Sequence, residues 1–172
     1  MFIIFENYTK KKKSVDKKTC VKQLKTCSKF SQFVQHVFQT THPNEKTDDI
    51  IDNMFECIEC TKPEHKNLRA FYQPKEKKIT FCLQRLQEED ICTMMRHELV
   101  HYFDHFQGYT FGSAEELACS EIKAAKIGEC KDEVFRKKCT RLVAQNNIKD
   151  RYPIRYKWIV NKVFKKCYSF FD

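Results

Sequence analysis

Apolar residues recur at intervals of three and four along most of the chain, which is the spacing of one face of an amphipathic helix. The stretches with this spacing predict helices at residues 18–40, 88–107, 113–128, 133–145 and 155–171. Acidic residues open the second of these stretches and Gly108 follows it, as expected for the two ends of a helix. Ser113 and Glu116 form a capping box that begins the third. The chain is therefore predicted to be mostly helical.

Two short stretches between the first and second helices predict a β-hairpin. Residues 68–72 and 78–83 are typical of strands, and residues 73–77, which contain a proline, join them. Residues 49–57 fit either a short strand or a turn of helix. Because the chain has only 3 glycines and 4 prolines, a many-turned β-sandwich is excluded. The predicted fold class is α+β and helix-rich.

The length of 172 residues corresponds to one domain of ordinary size, and an apolar content of 41% is enough to bury a core. Lysines cluster near the N-terminus, at residues 10–13 and then at Lys17 and Lys18. This cluster divides the chain into a basic arm, residues 1–18, and a single domain, residues 19–172. A solvated arm is the ordinary interpretation of such a run of lysines.

The formal net charge of +9 favours an anionic partner, which is either a lipid surface or a nucleic acid. The apolar residues Phe2 to Phe5 next to the lysine cluster predict that the arm binds an anionic lipid surface. Few aromatic residues lie among the lysines and no RNA-binding signature is present, so nucleic acid is not an expected partner. No apolar run approaches about 18 residues, so no transmembrane helix is expected.

Cysteine content is high, and an even number of cysteines suggests a disulfide framework. The ten candidates are Cys20, Cys27, Cys57, Cys60, Cys82, Cys92, Cys119, Cys130, Cys139 and Cys167. The spacing of Cys57 and Cys60 leaves a structural zinc site as the alternative, with His65 and Cys82 as further ligands. The pairing cannot be derived from the spacing. Because no signal-peptide core is apparent, the cysteines indicate the mitochondrial intermembrane space.

The strongest candidate for chemistry is a His-Glu-x-x-His motif at residues 97–101, inside the second predicted helix. Two histidines four residues apart lie on one helix face, so both imidazoles can bind a single ion. Zn²⁺ suits them because imidazole nitrogen is one of its preferred ligands. Glu98 stands beside the first histidine, where its carboxylate can act on a water molecule instead of the metal.

A third ligand is predicted in the following helix, at Glu121, which is twenty positions after His101. On a helical wheel this glutamate falls among small and apolar residues, namely Ala114, Leu117, Ala118, Ala124 and Ala125. A carboxylate in the centre of a buried face carries a large desolvation cost unless a cation accompanies it. A metal ion held by the facing helix supplies that cation. A buried ion pair with an arginine or lysine is the alternative.

These residues together predict a zinc endopeptidase. His97, His101 and Glu121 would hold the Zn²⁺, which lowers the pKa of a coordinated water molecule toward about 7. Glu98 would act as the general base that takes the water proton and as the acid that passes it to the leaving amine.

Two polar residues continue the motif-bearing helix, Asp104 and His105. Either is predicted to orient a metal ligand by a hydrogen bond from outside the ligand set. A solvated helix end is the alternative for His105. Since extended peptides often add to a sheet edge, the hairpin is expected to hold the substrate.

Several stretches of the chain resemble the Atp23 family of mitochondrial inner-membrane metallopeptidases. The resemblance covers residues 57–167 and is carried by His97 to Asp104, by Ala118 to Ala125, by Gly128 to Cys130, by Cys57, Cys60, Cys82 and Cys139, and by Val160 to Cys167. Carried over by position, the resemblance implies that His97 and His101 bind zinc, that Glu98 is catalytic, and that Glu121 is the acidic residue of the second motif.

The resemblance also implies a zincin-like metallopeptidase core, disulfide bonds, and a position in the intermembrane space, peripheral to the inner membrane. Members of that family process inner-membrane proteins and assist ATP synthase assembly, so the expected partner is a protein substrate or a membrane-protein complex. The alternative is a non-catalytic assembly factor, or a resident structural subunit of a respiratory or ATP synthase complex.

Overall fold

The computed structural model describes residues 14–65 and 67–169. Within these residues the helices are α1 (Lys17–Phe30), α2 (Gln32–Thr41), α3 (Thr47–Met54), α4 (Asp90–Phe106), α5 (Ala114–Ile127), α6 (Arg136–Ile148) and α7 (Tyr156–Tyr168). The strands are β1 (Phe55–Ile58), β2 (Ala70–Gln73) and β3 (Lys78–Cys82). The prediction of a helix-rich α+β fold is confirmed. None of the helices described here is both long and apolar enough to cross a bilayer.

The first predicted helix, residues 18–40, is two helices in the structure, and Ser31 separates them. Ser31 has an extended backbone, and its hydroxyl accepts a hydrogen bond from the backbone N–H of Val34. Serine is a preferred N-cap because its side chain satisfies a backbone donor at the start of a helix. The apolar spacing continues across the break, which is why the pattern alone predicts one helix.

The sheet has the order β1-β3-β2. The predicted hairpin is confirmed, since β2 and β3 pair antiparallel. The stretch 49–57, which fitted either helix or strand, contains both: α3 ends at Met54 and β1 follows directly, parallel to β3. Strand β3 is thus central, and β2 forms one edge of the sheet. This edge matters because it faces the candidate site.

Two hydrophobic cores meet along α4 and α5. The first lies between α1 to α4 and the sheet, and includes Phe81, Met95 and Leu99. The second lies among α5, α6 and α7, and includes Ile122 and Val160. Because α4 packs against α5, side chains on the facing sides of these two helices are enclosed between the cores.

All ten cysteines form disulfides, so the predicted framework is confirmed. The pairs are Cys20–Cys57, Cys27–Cys92, Cys60–Cys82, Cys119–Cys167 and Cys130–Cys139. The alternative of a zinc site at Cys57 and Cys60 is wrong, since each of these sulfurs is bonded to another cysteine. The pair Cys119–Cys167 ties α5 to α7 in the second core.

The N-terminal arm lies mostly outside the described residues, including the lysines at 10–13 and the apolar residues 2–5. Helix α1 begins at Lys17, with Asp16 as its N-cap, so Lys17 and Lys18 belong to a helix. The division of the chain into an arm and a domain stays a prediction.

Candidate metal centre

Three side chains from α4 and α5 converge between the two cores. His97 Nε2 lies 3.2 Å from His101 Nε2. The two carboxylate oxygens of Glu121 lie 3.5 Å from these nitrogens, Oε2 near His97 and Oε1 near His101. The three residues predicted from the sequence as metal ligands therefore point their ligand atoms at one another.

The spacing of the two imidazole nitrogens fits a tetrahedral zinc ion. Ligand atoms about 2.0–2.1 Å from a tetrahedral Zn²⁺ are about 3.3 Å apart, close to the 3.2 Å between the two Nε2 atoms, and each Nε2 has one oxygen of Glu121 at 3.5 Å. A set of two imidazoles and one carboxylate is also a ligand set of catalytic zinc sites, which keep one coordination position open.

The Nδ1 atoms of both histidine rings form hydrogen bonds, which leaves the lone pairs of the Nε2 atoms directed at the place where the three side chains meet. His97 Nδ1 lies 2.9 Å from Glu129 Oε2, and a carboxylate can only accept, so this Nδ1 carries a proton. His101 Nδ1 lies 2.7 Å from Ser120 Oγ, which can accept in the same way. In the neutral rings both Nε2 atoms then have no hydrogen. Two lone pairs and a carboxylate that meet in a buried place require a cation.

Without a metal, a proton on His97 takes the place of that cation. Burial lowers the pKa of His97, but the charges and hydrogen bonds of Glu129 and Glu121 raise it to well above its usual value. Burial also acts against ionisation of Glu121, but His101 and His97 outweigh it and lower the pKa of Glu121 to about 2. The centre is therefore organised around positive charge.

Glu98 is buried next to this centre but does not belong to the ligand set. Its side chain lines the same cleft as His97 and His101. Burial raises the pKa of Glu98 above its usual value, and the charges of His97 and His101 counteract only part of the rise. A carboxyl group whose pKa is shifted toward neutrality can both take up and release a proton.

Asp104 and His105, which are predicted to orient a ligand, have other partners in the structure. Asp104 forms a fully buried ion pair with Lys123 of α5. His105 Nδ1 lies 2.7 Å from the hydroxyl of Tyr72 on β2. Each of these side chains is thus engaged with a group other than a metal ligand. These contacts do not reach His97, His101 or Glu121, so the role of Asp104 and His105 in orienting a ligand stays a prediction.

The ligand-orienting contacts come instead from three other residues. Glu129 and Ser120 bond the two histidines, and Asn147 Nδ2 on α6 donates to Glu121 Oε2 over 2.8 Å. The helical spacing of the sequence does not predict that Glu129, which follows the end of α5, or Asn147 contacts these side chains. Ser120 could have been found from the sequence, because it is next to Glu121 on the helix that packs against the motif at residues 97–101.

Gly128 allows the turn after α5 to approach α4 at the first ligand. A Cβ at this position would lie 2.9 Å from the carbonyl oxygen of Ala124 and 3.2 Å from Cβ of His97. Any side chain here would push the turn away from α4. The glycine therefore lets the next residue, Glu129, reach the ring of His97.

An open cleft of about 560 Å³ leads to the centre. One side of the cleft is formed by β2, with Ala70, Phe71 and Tyr72. The end of α6 and the residues after it form another side, which is polar and includes Asn146 and Arg151. The centre is therefore open to molecules that enter this cleft.

A model described as the peptidase M76 family matches residues 18–171, which include the motif at 97–101, Glu121 and all ten cysteines. The comparisons with curated proteins and with solved structures gave no match. The matched region is far more than half of the chain, and it contains the convergent side chains described above. The chain belongs to the peptidase M76 family, the family of Atp23-like metallopeptidases.

Proposed function

We propose that this protein is a zinc-dependent endopeptidase with a zincin-like core. The observation that carries the proposal is the convergence of His97 Nε2, His101 Nε2 and the Glu121 carboxylate beside the buried Glu98, within an open cleft. His97, His101 and Glu121 would hold the Zn²⁺. Membership of a metallopeptidase family supports the same assignment.

Zinc, when bound, supplies Lewis acidity, which polarises a peptide carbonyl and makes a water molecule more acidic. Glu98 takes the proton from that water at its carboxylate as the water attacks the carbonyl carbon. The protonated Glu98 then donates this proton to the nitrogen of the leaving amine when the peptide bond breaks.

The edge strand β2 offers a place for the substrate backbone. Its antiparallel pairing with β3 leaves the other side of β2 toward the cleft. An extended peptide that adds to this edge uses main-chain hydrogen bonds, which do not depend on its sequence. The peptide would then run past Glu98 and the metal ligands.

The test is the substitution Glu98→Gln, with Glu76→Gln in the exposed hairpin turn as the matched control. Zinc content and thermal stability are expected to stay unchanged in both variants. Peptide cleavage is expected to fall by at least about a hundredfold for Glu98→Gln, because general acid–base catalysis typically contributes 10²–10⁴-fold. Cleavage at the wild-type rate by Glu98→Gln would contradict the proposal.

The second candidate is a non-catalytic assembly factor, or a structural subunit, of a respiratory or ATP synthase complex. The observation in its favour is the exposed side of α7, where Trp158 lies between Arg155 and Lys162 and no acidic residue occurs on the helix. Cells that carry Glu98→Gln distinguish the two candidates. If precursor processing and complex assembly both continue, the protein acts as a scaffold; if processing stops, it is a peptidase.

For localisation, we propose the mitochondrial intermembrane space, at the surface of the inner membrane. Five disulfides suit an oxidising compartment, and the basic side of α7 with Trp158 suits an anionic lipid surface. Sedimentation with cardiolipin vesicles is expected for the full chain and to weaken when Trp158 is replaced by Ser. Equal sedimentation of a form without residues 1–13 would assign the binding to α7; no sedimentation at all would contradict the proposal.

A further inference from the structure

Phe111 has a backbone conformation that a phenylalanine rarely adopts. Its φ is +54°, in the left-handed region, where the Cβ of an L-residue approaches the following carbonyl oxygen. Among the described residues other than glycine, only Lys77 shares a positive φ. Lys77 lies in the tight turn of the hairpin, where such a conformation is ordinary. Phe111 lies in the connection between the two ligand-bearing helices.

The neighbours of Phe111 fix this connection on both sides. The backbone N–H of Tyr109 donates to the carbonyl oxygen of Asp104 over 3.0 Å, and the Tyr109 ring lies 4.3 Å from Lys123 Nζ. The hydroxyl of Thr110 donates to Glu116 and accepts from the backbone N–H of Gly112. The disfavoured conformation thus persists because the surrounding contacts determine it.

The side chain that results from this conformation lines the cleft. The ring of Phe111 stands edge-on to that of the ligand His101, with centroids 6.1 Å apart and planes at 89°. It also lies 6.3 Å from the ring of His105. Leu117, one turn into α5, also lines the cleft. An apolar surface therefore begins directly beside one metal ligand.

The wall formed by the end of α6 has the opposite character. The end of α6 and the residues after it contribute Asn146, Asn147, Asp150 and Arg151. A glycine or asparagine at position 111 would form the same turn without strain. The strained phenylalanine therefore adds the ring itself, an apolar surface beside His101 at the lining of the cleft.

We propose that Phe111 is a specificity-determining residue, whose ring together with Leu117 binds an apolar side chain of the substrate next to the bond that is cleaved. This inference rests on the proposed peptidase function, because it names the substrate class of that site. The substrates are then peptides with an apolar residue at one fixed position beside the cleaved bond. An apolar contact of this size typically favours a peptide that has the apolar residue over one that lacks it by about tenfold or more.

The test measures binding and does not require catalysis. The zinc-loaded full chain with Glu98→Gln is immobilised and incubated with a pool of randomised nonapeptides, and the retained peptides are sequenced by mass spectrometry. The same is done for Phe111→Asn in the Glu98→Gln background, since asparagine tolerates the left-handed conformation. Phe135→Asn, which removes an exposed phenylalanine outside the cleft, is the matched control. Phe111→Gly is a second variant with the same expectation.

We expect the Glu98→Gln protein to enrich an apolar residue at one position by about tenfold, and the control to do the same. Phe111→Asn and Phe111→Gly are expected to lose this enrichment while their melting temperatures stay equal or rise. Equal enrichment with and without the ring would overturn the inference, as would the absence of any enrichment. Cleavage of the same pool by the wild-type protein tests the proposed function separately. Enrichment without cleavage would contradict the peptidase function and leave Phe111 as a binding residue for apolar side chains.

Discussion

Glu129 accepts a hydrogen bond from the ring of His97 at a distance of 2.9 Å between Oε2 and Nδ1. The two residues lie on different elements, since His97 belongs to α4 and Glu129 follows the end of α5. The carboxylate fixes the proton on Nδ1, and Nε2 then presents its lone pair to the metal. The charge of His97 in turn lowers the pKa of Glu129, against the effect of burial.

This contact predicts the effect of Glu129→Ala. The variant is expected to bind zinc about 10–100-fold more weakly, because a metal-binding histidine then lacks its orienting partner. Competition with a chromogenic chelator measures the affinity. Glu133→Ala, at an exposed glutamate four residues later, should leave it unchanged. The role assigned to Glu129 is wrong if both variants bind zinc as the wild type does.

The pKa of His97 predicts a pH dependence for the metal-free protein. The pKa is well above 6.5 in the folded state and returns to 6.5 on unfolding, so His97 contributes stability that is fully present below pH 6.5. That contribution is lost as the pH rises through the folded pKa. The free energy of unfolding in urea, measured after removal of metal, is expected to fall between pH 6.5 and 9.

Added zinc reverses this trend, because the ion replaces the proton and binds the neutral ring more readily as the pH rises. Glu121 does not contribute to the change in this range, since its pKa is about 2 in the folded state and 4.5 in the unfolded state. A metal-free stability that is constant from pH 6.5 to 9 would contradict the assignment.

Gly128→Ala is expected to lower both stability and zinc affinity. The new Cβ meets backbone oxygens and His97 at 2.9–3.2 Å, so the turn that carries Glu129 must move. Such overpacking typically costs about 1–3 kcal/mol, which thermal unfolding detects. Gly112→Ala is the control, since its Cβ meets only the hydroxyl of Thr110. Equal melting temperatures for the two variants would show that the close approach at Gly128 is unimportant.

The buried pair of Asp104 and Lys123 predicts a non-additive result. Both side chains are fully buried, and removal of the lysine leaves the Asp104 carboxylate buried without its cation. Lys123→Met is expected to destabilise the protein by about 3–5 kcal/mol, and Asp104→Asn together with Lys123→Met to recover part of that loss. Urea unfolding of both single variants and the double variant measures the coupling. Additive losses would argue against a pair that acts as a unit.

Much of the site can be predicted from the sequence because it depends on local spacing. Residues four apart on a helix share a face, so His97 and His101 are predicted to lie together wherever the helix packs. The position of Glu121 follows from the apolar face of α5 in the same way. Both predictions use only the period of a helix, and the structure brings the three residues together.

The remaining features depend on tertiary packing that no local pattern encodes. The parallel pairing of β1 with β3 joins strands more than twenty residues apart. Glu129 and Asn147 reach the ligands only because the end of α5 and helix α6 fold back onto α4 and α5. Asp104 lies on the same face of α4 as His97 and His101, yet the buried Lys123 takes up its carboxylate. The burial of lysines such as Lys123 also runs against the usual preference of charged residues for the surface.

The most direct test of the account is an anomalous difference map of the zinc-loaded protein, recorded on either side of the zinc absorption edge. The account predicts one peak, bonded to Nε2 of His97, Nε2 of His101 and a carboxylate oxygen of Glu121, with Glu98 facing the open side of the ion. A map without a peak between α4 and α5, or with Glu121 turned away from both rings, would contradict it.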